Sequence, residues 1–231
     1  MHALELKSVA KTFVMHLQGG LRLPVLRDVS FAADPGQCLA LTGPSGAGKS
    51  SILKLIYGNY RSDEGHILVR DGEQVVDVAA AQPRQILALR HRALGYVTQF
   101  LRAVPRVSAL DIVAEPLLTK SVPREDAKKQ AAAILRRFNI PERLWSLPPA
   151  TFSGGEQQRI NLARGLLPEH PVLLLDEPTA SLDADNRAVV VDIVRERKRQ
   201  GAAIVAIVHD DEVREAIADI AVDVTQFATA A

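Results

Sequence analysis

Along the first third of the chain the hydrophobic pattern has the short period of strands. The run "ALELKSV" alternates, "VLRDVSFAA" has strand composition, and "GHILVRDGEQVVDV" reads as a hairpin turning at Asp71 and Gly72. One stretch differs: "CLALTGPSGAGKSSILKLIYG" is a continuous apolar run, a glycine loop and then a helix, the unit from which parallel sheets are built. From about Ser108 to Leu167 the period lengthens to that of helices, in "SALDIVAEPLLTK", in "PREDAKKQAAAILRRFN" with its early proline, and in the segment that follows. Beyond it, "PVLLLDE" and "AAIVAIVHD" are apolar throughout and are separated by the helical "DNRAVVVDIVRERKRQG", which predicts buried parallel strands joined by a crossover. The fold class expected is therefore α/β, with a P-loop type parallel sheet, an antiparallel β subdomain and a helical subdomain at approximately 100–165, all within a single domain of residues 1–231. The basic residues Arg195, Arg197, Lys198 and Arg199 on the crossover helix, with Glu196 among them, are expected to form a solvated face.

Composition narrows the partners. A chain of 231 residues, 47% hydrophobic, is large enough for a substantial core. Its 28 basic and 27 acidic residues give a net charge of +1, which argues against a dedicated nucleic-acid surface or a polybasic membrane anchor. Cys38 is the single cysteine and sits in the apolar run "CLALT", so a buried thiol in a reduced, cytoplasmic compartment is expected. No metal-binding cluster is visible, the N-terminal stretch lacks the apolar core of a signal peptide, and no run approaches the roughly 18 apolar residues of a membrane span. No direct membrane insertion is expected, and any role in transport would need a separate membrane protein.

Three motifs carry chemistry. In "GPSGAGKS" the residues Gly43, Pro44, Ser45, Gly46, Ala47, Gly48, Lys49 and Ser50, with Ser51 following, lie between a predicted strand and a predicted helix, the setting of a phosphate-binding P-loop. Its glycines let successive amides curl around phosphate oxygens, Lys49 reaches the β- and γ-phosphates, and the Ser50 hydroxyl is offered to Mg²⁺. The second motif, "VLLLDE", ends a buried strand on two carboxylates, where the ligand crevice of an open parallel sheet lies. Asp176 is expected to meet the metal and Glu177 to polarise a water in line with the γ-phosphate.

The third motif is "TFSGGEQQRINLARG". Ser153 followed by Glu156 is a capping box, so a helix starts there, yet its next residues are Gly154 and Gly155, each costing roughly 0.8 to 1 kcal/mol relative to alanine in a helix interior. A capped start bare of side chains leaves open N–H groups and the positive end of the helix dipole, which suit a phosphate. An ordinary capped helix after the proline-rich "LPPATF" would read the same way on this segment alone.

Taken in order, the P-loop, "SGGEQ", "LLLDEPTASLD" and "IVHD" resemble the ATP-binding cassette (ABC) ATPases over nearly the whole chain. The resemblance implies ATP and Mg²⁺ as cofactors and a head-to-tail dimer, in which Ser153, Gly154, Gly155 and Glu156 bind an ATP held by the P-loop of a second subunit, the glycines contacting its γ-phosphate. It further implies that Gln99 in "YVTQF" contacts metal and water, that Asp183 in "SLD" lies at the dimer interface, that His209 contacts the γ-phosphate, and that Phe13 stacks on adenine where the family usually has tyrosine. "FSGGE" also departs from the family, which commonly has leucine first and glutamine last. The short tail "DVTQFATAA" leads to the expectation of no appended regulatory domain.

Longer strings, "MHLQGGLRLPVL", "QFLRAVPRVSALDIV", "VPRED" and "PERLWSLPPATFSGGEQQR", resemble a cassette subunit of the bacterial phosphonate carbon-phosphorus lyase system. That resemblance implies an accessory of a soluble machinery in phosphonate catabolism, in which a phosphonate displaces adenine from ATP to give a ribose 1-phosphonate 5-triphosphate. The partners implied are a sister cassette K, or a second copy of this chain, and the carbon-phosphorus lyase core subunits. The alternative is the motor subunit of a lipoprotein-release or efflux type transporter, whose cassettes share the "PVLRDVS" style of opening and the glutamate-containing signature. A membrane partner gripping the groove near Gln99 would distinguish it.

Overall fold

In a computed structural model, residues 1–15, 17, 19–99 and 105–228 are described. Parts of the strings "MHLQGGLRLPVL" and "FLRAVPRVSAL", residues 16, 18 and 100–104, and the last three residues of the tail, lie outside that set.

Two sheets organise the chain. Strands β1 (Leu4–Met15), β2 (Leu21–Ala33), β4 (Glu64–Asp71) and β5 (Gln74–Asp77) form an antiparallel sheet in the order β2-β1-β4-β5. Strands β3 (Cys38–Thr42), β6 (Leu94–Val97), β7 (Val172–Asp176), β8 (Ala203–Ile207) and β9 (Ile220–Asp223) form a parallel sheet in the order β6-β7-β8-β3-β9. Helices α1 (Lys49–Ile56), α2 (Pro83–Arg92), α3 (Ala109–Thr119), α4 (Arg124–Arg137), α5 (Gly154–Leu166), α6 (Ala184–Arg199) and α7 (Asp211–Ile217) connect them.

The apolar runs of the parallel strands follow from a core on each side of the sheet. Val172 and Leu174 of β7 join Val205 of β8, Leu39 of β3 and the apolar face of α1 in one core, together with β1 and β2. Leu173 and Leu175 join Ile204, Cys38 and α3 to α6 in the other. Each fully buried branched side chain contributes about 1.5 to 3 kcal/mol, so a slip of one residue would reverse both faces and is strongly disfavoured. That register fixes where Asp176, the last residue of β7, emerges. The thiol of Cys38 is buried as expected, and burial pushes it up to about 12.

The elements differ from expectation in three places. Asp71 pairs with Gln74, so the β4-β5 turn is Gly72 and Glu73, with Gly72 at φ 65°, one residue later than the sequence suggests. Helix α2 and strand β6 were not expected, because in "PRQILALRHRALGYV" only Ile86 and Leu89 of the helix are buried and the strand is four residues long. The basic residues of α6 divide: Arg195 and Arg199 are exposed, as a solvated face requires, whereas Arg197 and Lys198 are partly buried. Arg197 donates to the carbonyls of Leu166 and Leu167 and to Glu169, Lys198 donates to the carbonyl of Ile217 and to Asp219, and Arg195 donates to the carbonyl of Ala216. Their long stems lie along the helix and carry the charge to unsatisfied carbonyls at the ends of α5 and α7. Among the described residues no helix is long and apolar enough to cross a membrane.

Candidate active site

The glycine loop joins β3 to α1 with Gly43, Gly46 and Gly48 at φ 126°, 84° and 98°. At Gly48 a β-carbon would also lie 2.8 Å from the side chain of Leu26, so both conformation and space require glycine there. Pro44, Ser45 and Gly46 form the exposed tip, Ala47 donates its N–H to the Pro44 carbonyl at 3.3 Å, and Ser51 lies in the first turn of α1. Helix α1 starts with no side-chain cap and no acidic residue in its first turn, which suits an anion at its N-terminus. Lys49 is 8% exposed, and its ammonium donates to the carbonyls of Gly43 and Pro44 at 2.7 and 2.8 Å, held inside the loop that it serves.

At the end of β7 two carboxylates have different neighbours. Asp176 is 7% exposed and accepts from the Ser50 hydroxyl at 3.0 Å on one oxygen and from the Tyr96 phenol at 2.8 Å on the other. Burial, and then the charge of Asp176, push the Tyr96 phenol well above its ordinary value, so it remains a donor. Glu177 has φ 52°, a conformation that costs a non-glycine residue about 1 to 2 kcal/mol, and its N–H donates to the Ile207 carbonyl at 3.1 Å. Its carboxylate accepts from the amide nitrogen of Gln99 at 2.9 Å and lies 2.9 Å from Nε2 of His209. Gln99 and His209, on the loops after β6 and β8, thus converge on the carboxylate of Glu177, on the loop after β7.

Among the described residues no group of three or more His, Cys, Asp or Glu is placed to hold a metal ion. The donors gathered here are oxygens, a carboxylate and a hydroxyl 3.0 Å apart beside the phosphate-binding loop. That set fits Mg²⁺, which is bound through one or two protein oxygens together with substrate phosphates and water.

The signature segment is the capped helix start that the sequence indicates. The Ser153 side chain accepts from the Glu156 N–H at 3.3 Å, and the Glu156 carboxylate accepts from the Ser153 N–H at 2.9 Å and its hydroxyl at 2.7 Å. These bonds with Ser153 hold the Glu156 carboxyl below the usual range. The two glycines that follow have ordinary helical backbone. A β-carbon at Gly154 would meet nothing within 4 Å, and one at Gly155 only the Ser181 carbonyl at 3.8 Å. Packing within the chain therefore does not require them. By contrast Gly165 of the same helix would put a β-carbon 2.6 Å from Val97.

Phe13, on β1, packs edge-on against Tyr60 with centroids 5.1 Å apart, and the Lys11 ammonium lies 5.4 Å from its ring. Asp183 caps α6, accepting from both the N–H and the side-chain amide of Asn186 at 2.8 Å, and these bonds lower its carboxyl. Two further residues of the site carry no mark in the sequence. Tyr96 and Asn161, whose amide reaches the Thr98 carbonyl and so ties α5 to the loop bearing Gln99, make non-local contacts that no spacing announces. A groove of about 670 Å³ opens beside this loop, lined among others by Tyr96, Gln99, Arg90, Glu115 and Arg164.

Comparison with known proteins locates this arrangement. The model of the ABC transporter family matches residues 26–180. The lipoprotein-releasing system ATP-binding protein LolD of Maricaulis maris is 39% identical over 210 residues, 90% of this chain and 88% of that protein. The macrolide export ATP-binding/permease protein MacB of Sodalis glossinidius is 33% identical over 207 residues, which are 90% of this chain but 30% of that protein. Among solved structures, the dimeric post-hydrolysis state of an ATP-binding cassette bound to ADP and Pi is similar with a TM-score of 0.85 and 27% identity, covering 96% of this chain and 95% of that one.

Proposed function

Since the chain belongs to the ABC transporter family, whose cassettes bind ATP with Mg²⁺ and hydrolyse it, we propose that it works as one half of a head-to-tail cassette dimer that closes on ATP and reopens after hydrolysis. The observation that carries this reading is the bare helix start. Gly154 and Gly155 cost helix stability and answer no contact within the chain, so the space over them serves a group that this chain does not supply. A phosphate of a nucleotide held by the loop of a second cassette fits that space and the dipole behind it.

Within one cassette, Gly43 to Ser51 wrap the phosphates, Lys49 leaves its two carbonyl partners for phosphate oxygens, and Phe13 stacks on the base. Ser50, Asp176 and Gln99 would hold Mg²⁺, which when bound neutralises charge developing on the phosphate oxygens. Glu177, held by Gln99 and His209, accepts the proton of the attacking water, and His209 stands beside it toward the γ-phosphate. Asp183, at the start of α6, faces the second cassette.

The partner driven by this cycle docks at the groove beside Gln99. The lipoprotein-release and macrolide-export relatives support a membrane permease there, and with it the role of a transport motor. A second reading rests on the resemblance of the longer strings. Several of the strings that resemble the phosphonate carbon-phosphorus lyase cassette, "VSALDIV", "VPRED" and "PERLWSLPPATF", fall on α3, the start of α4 and the turns before α5, outside the P-loop and the β7 carboxylate motif. Identity at the ATP site is shared by all such machines and does not choose a partner, whereas these surfaces can. On that resemblance the partners would be soluble lyase core subunits and a sister cassette K. A tagged chain recovered from phosphate-starved cells supplied with a phosphonate, with soluble and membrane fractions analysed by mass spectrometry, separates the two. Lyase subunits would assign it to phosphonate catabolism, and an integral permease would assign it to transport.

A further inference from the structure

The groove wall next to the active site contains a stack of side chains that the cycle above does not use. The Arg90 guanidinium lies 4.2 Å from the centroid of the Tyr57 ring and is pinned by the Tyr57 carbonyl at 2.9 Å and the Asn59 side chain at 2.8 Å. Tyr57 packs against Tyr96 with centroids 5.0 Å apart and a tilt of 55°. Tyr96 in turn donates to Asp176 at 2.8 Å. The elements involved, the end of α1, helix α2 and strand β6, meet at one wall of the groove, and Arg90, Tyr57, Tyr96 and Asp176 all line it.

We propose that Tyr96 is a positioning residue for the metal-site carboxylate, aligning Asp176 through its phenol, and that the Arg90 and Tyr57 stack holds that phenol in place from the groove. This rests on Asp176 being a metal-site residue. The two donors to Asp176 are not equivalent. Ser50 belongs to the phosphate-binding loop that would receive nucleotide and metal, while Tyr96 stands outside it on the neighbouring strand, paired with Leu174. A carboxylate with one oxygen anchored presents the other in a fixed direction, which is how outer partners tune metal affinity.

The test is Mn²⁺ binding, followed by the electron paramagnetic resonance signal of free Mn²⁺, to the full chain saturated with a non-hydrolysable ATP analogue. Tyr96→Phe, which keeps the ring and removes the hydroxyl, is expected to weaken Mn²⁺ about 10-fold or more, with metal-free nucleotide affinity and melting temperature unchanged. Arg90→Ala is expected to weaken it about 3-fold, less than loss of the hydrogen bond itself. Wild-type Mn²⁺ affinity in Tyr96→Phe overturns the proposal, as does a loss that follows melting temperature and metal-free binding together. Asp176→Asn separates the premise from the inference. If it too leaves Mn²⁺ binding intact, the reading of Asp176 fails; if it weakens Mn²⁺ where Tyr96→Phe does not, only the role of Tyr96 fails.

Discussion

The two ends of the proposed composite site differ in how much of their work is done inside the chain. At the β7 end every functional side chain has a partner: Ser50 and Tyr96 on Asp176, Gln99 and His209 on Glu177, two carbonyls on Lys49. At the α5 end the capping box is complete, yet a side chain at Gly154 would meet nothing within 4 Å and one at Gly155 only the Ser181 carbonyl at an ordinary 3.8 Å. A wired half tolerates little change because its groups hold one another. An open half tolerates change in the isolated chain and fails only when something must fit against it. That contrast yields separable predictions.

The largest effect is expected at Glu177. Replacing it with glutamine keeps size and much of the hydrogen bonding but removes the base, so hydrolysis in single-turnover assays should fall about 10²- to 10⁴-fold while ATP is still bound. Ser153→Arg should likewise abolish turnover, but with ATP affinity of the isolated chain, measured by titration calorimetry, within about twofold of wild type, as expected of a surface change with no nucleotide contact in its own chain. Gly154→Ala sharpens the comparison. Denaturant melts should show a helix at least as stable, by up to about 1 kcal/mol, while turnover falls at least about 10-fold because the added methyl group stands where the second cassette must fit. A matching loss of stability would mean that the glycine serves its own fold.

The smallest effect concerns stability and pH. Burial, and then Lys120, Arg197 and His91, lower His170 from 6.5 to about 4. Between those values the unfolded chain holds a proton there that the folded chain refuses, so folding stability is complete above about pH 6.5 and declines as pH falls toward 4. His170→Gln should flatten the melting-temperature profile across that window. An unchanged slope would assign the acid loss to other groups.

What the sequence discloses follows the range of the interactions. The phosphate-binding loop and the acidic pair are contiguous, and their local order, strand then loop and strand then turn, is set by backbone chemistry that a few residues carry. The capping box is equally local, and its geometry is as Ser153 and Glu156 suggest. The roles of Gln99 and His209 rest on the order of motifs, and their meeting at Glu177 is not local and is seen only in the fold. Tyr96, Asn161 and the carbonyl contacts of Arg197 and Lys198 are visible only once β6, α5 and α6 are packed, since a tyrosine in a strand or an arginine on a helix has no spacing that names its partner. For the same reason α2 goes unseen: its amphipathic pattern rests on two buried residues.

The central claim is that the open α5 surface is completed by a second cassette over bound ATP. Light scattering of the Glu177→Gln chain, with and without ATP, tests it most directly. A monomer that becomes a dimer when ATP is added, and that fails to do so when Ser153→Arg is introduced alongside, is the predicted result. A chain that binds ATP to saturation and still scatters as a monomer would contradict it.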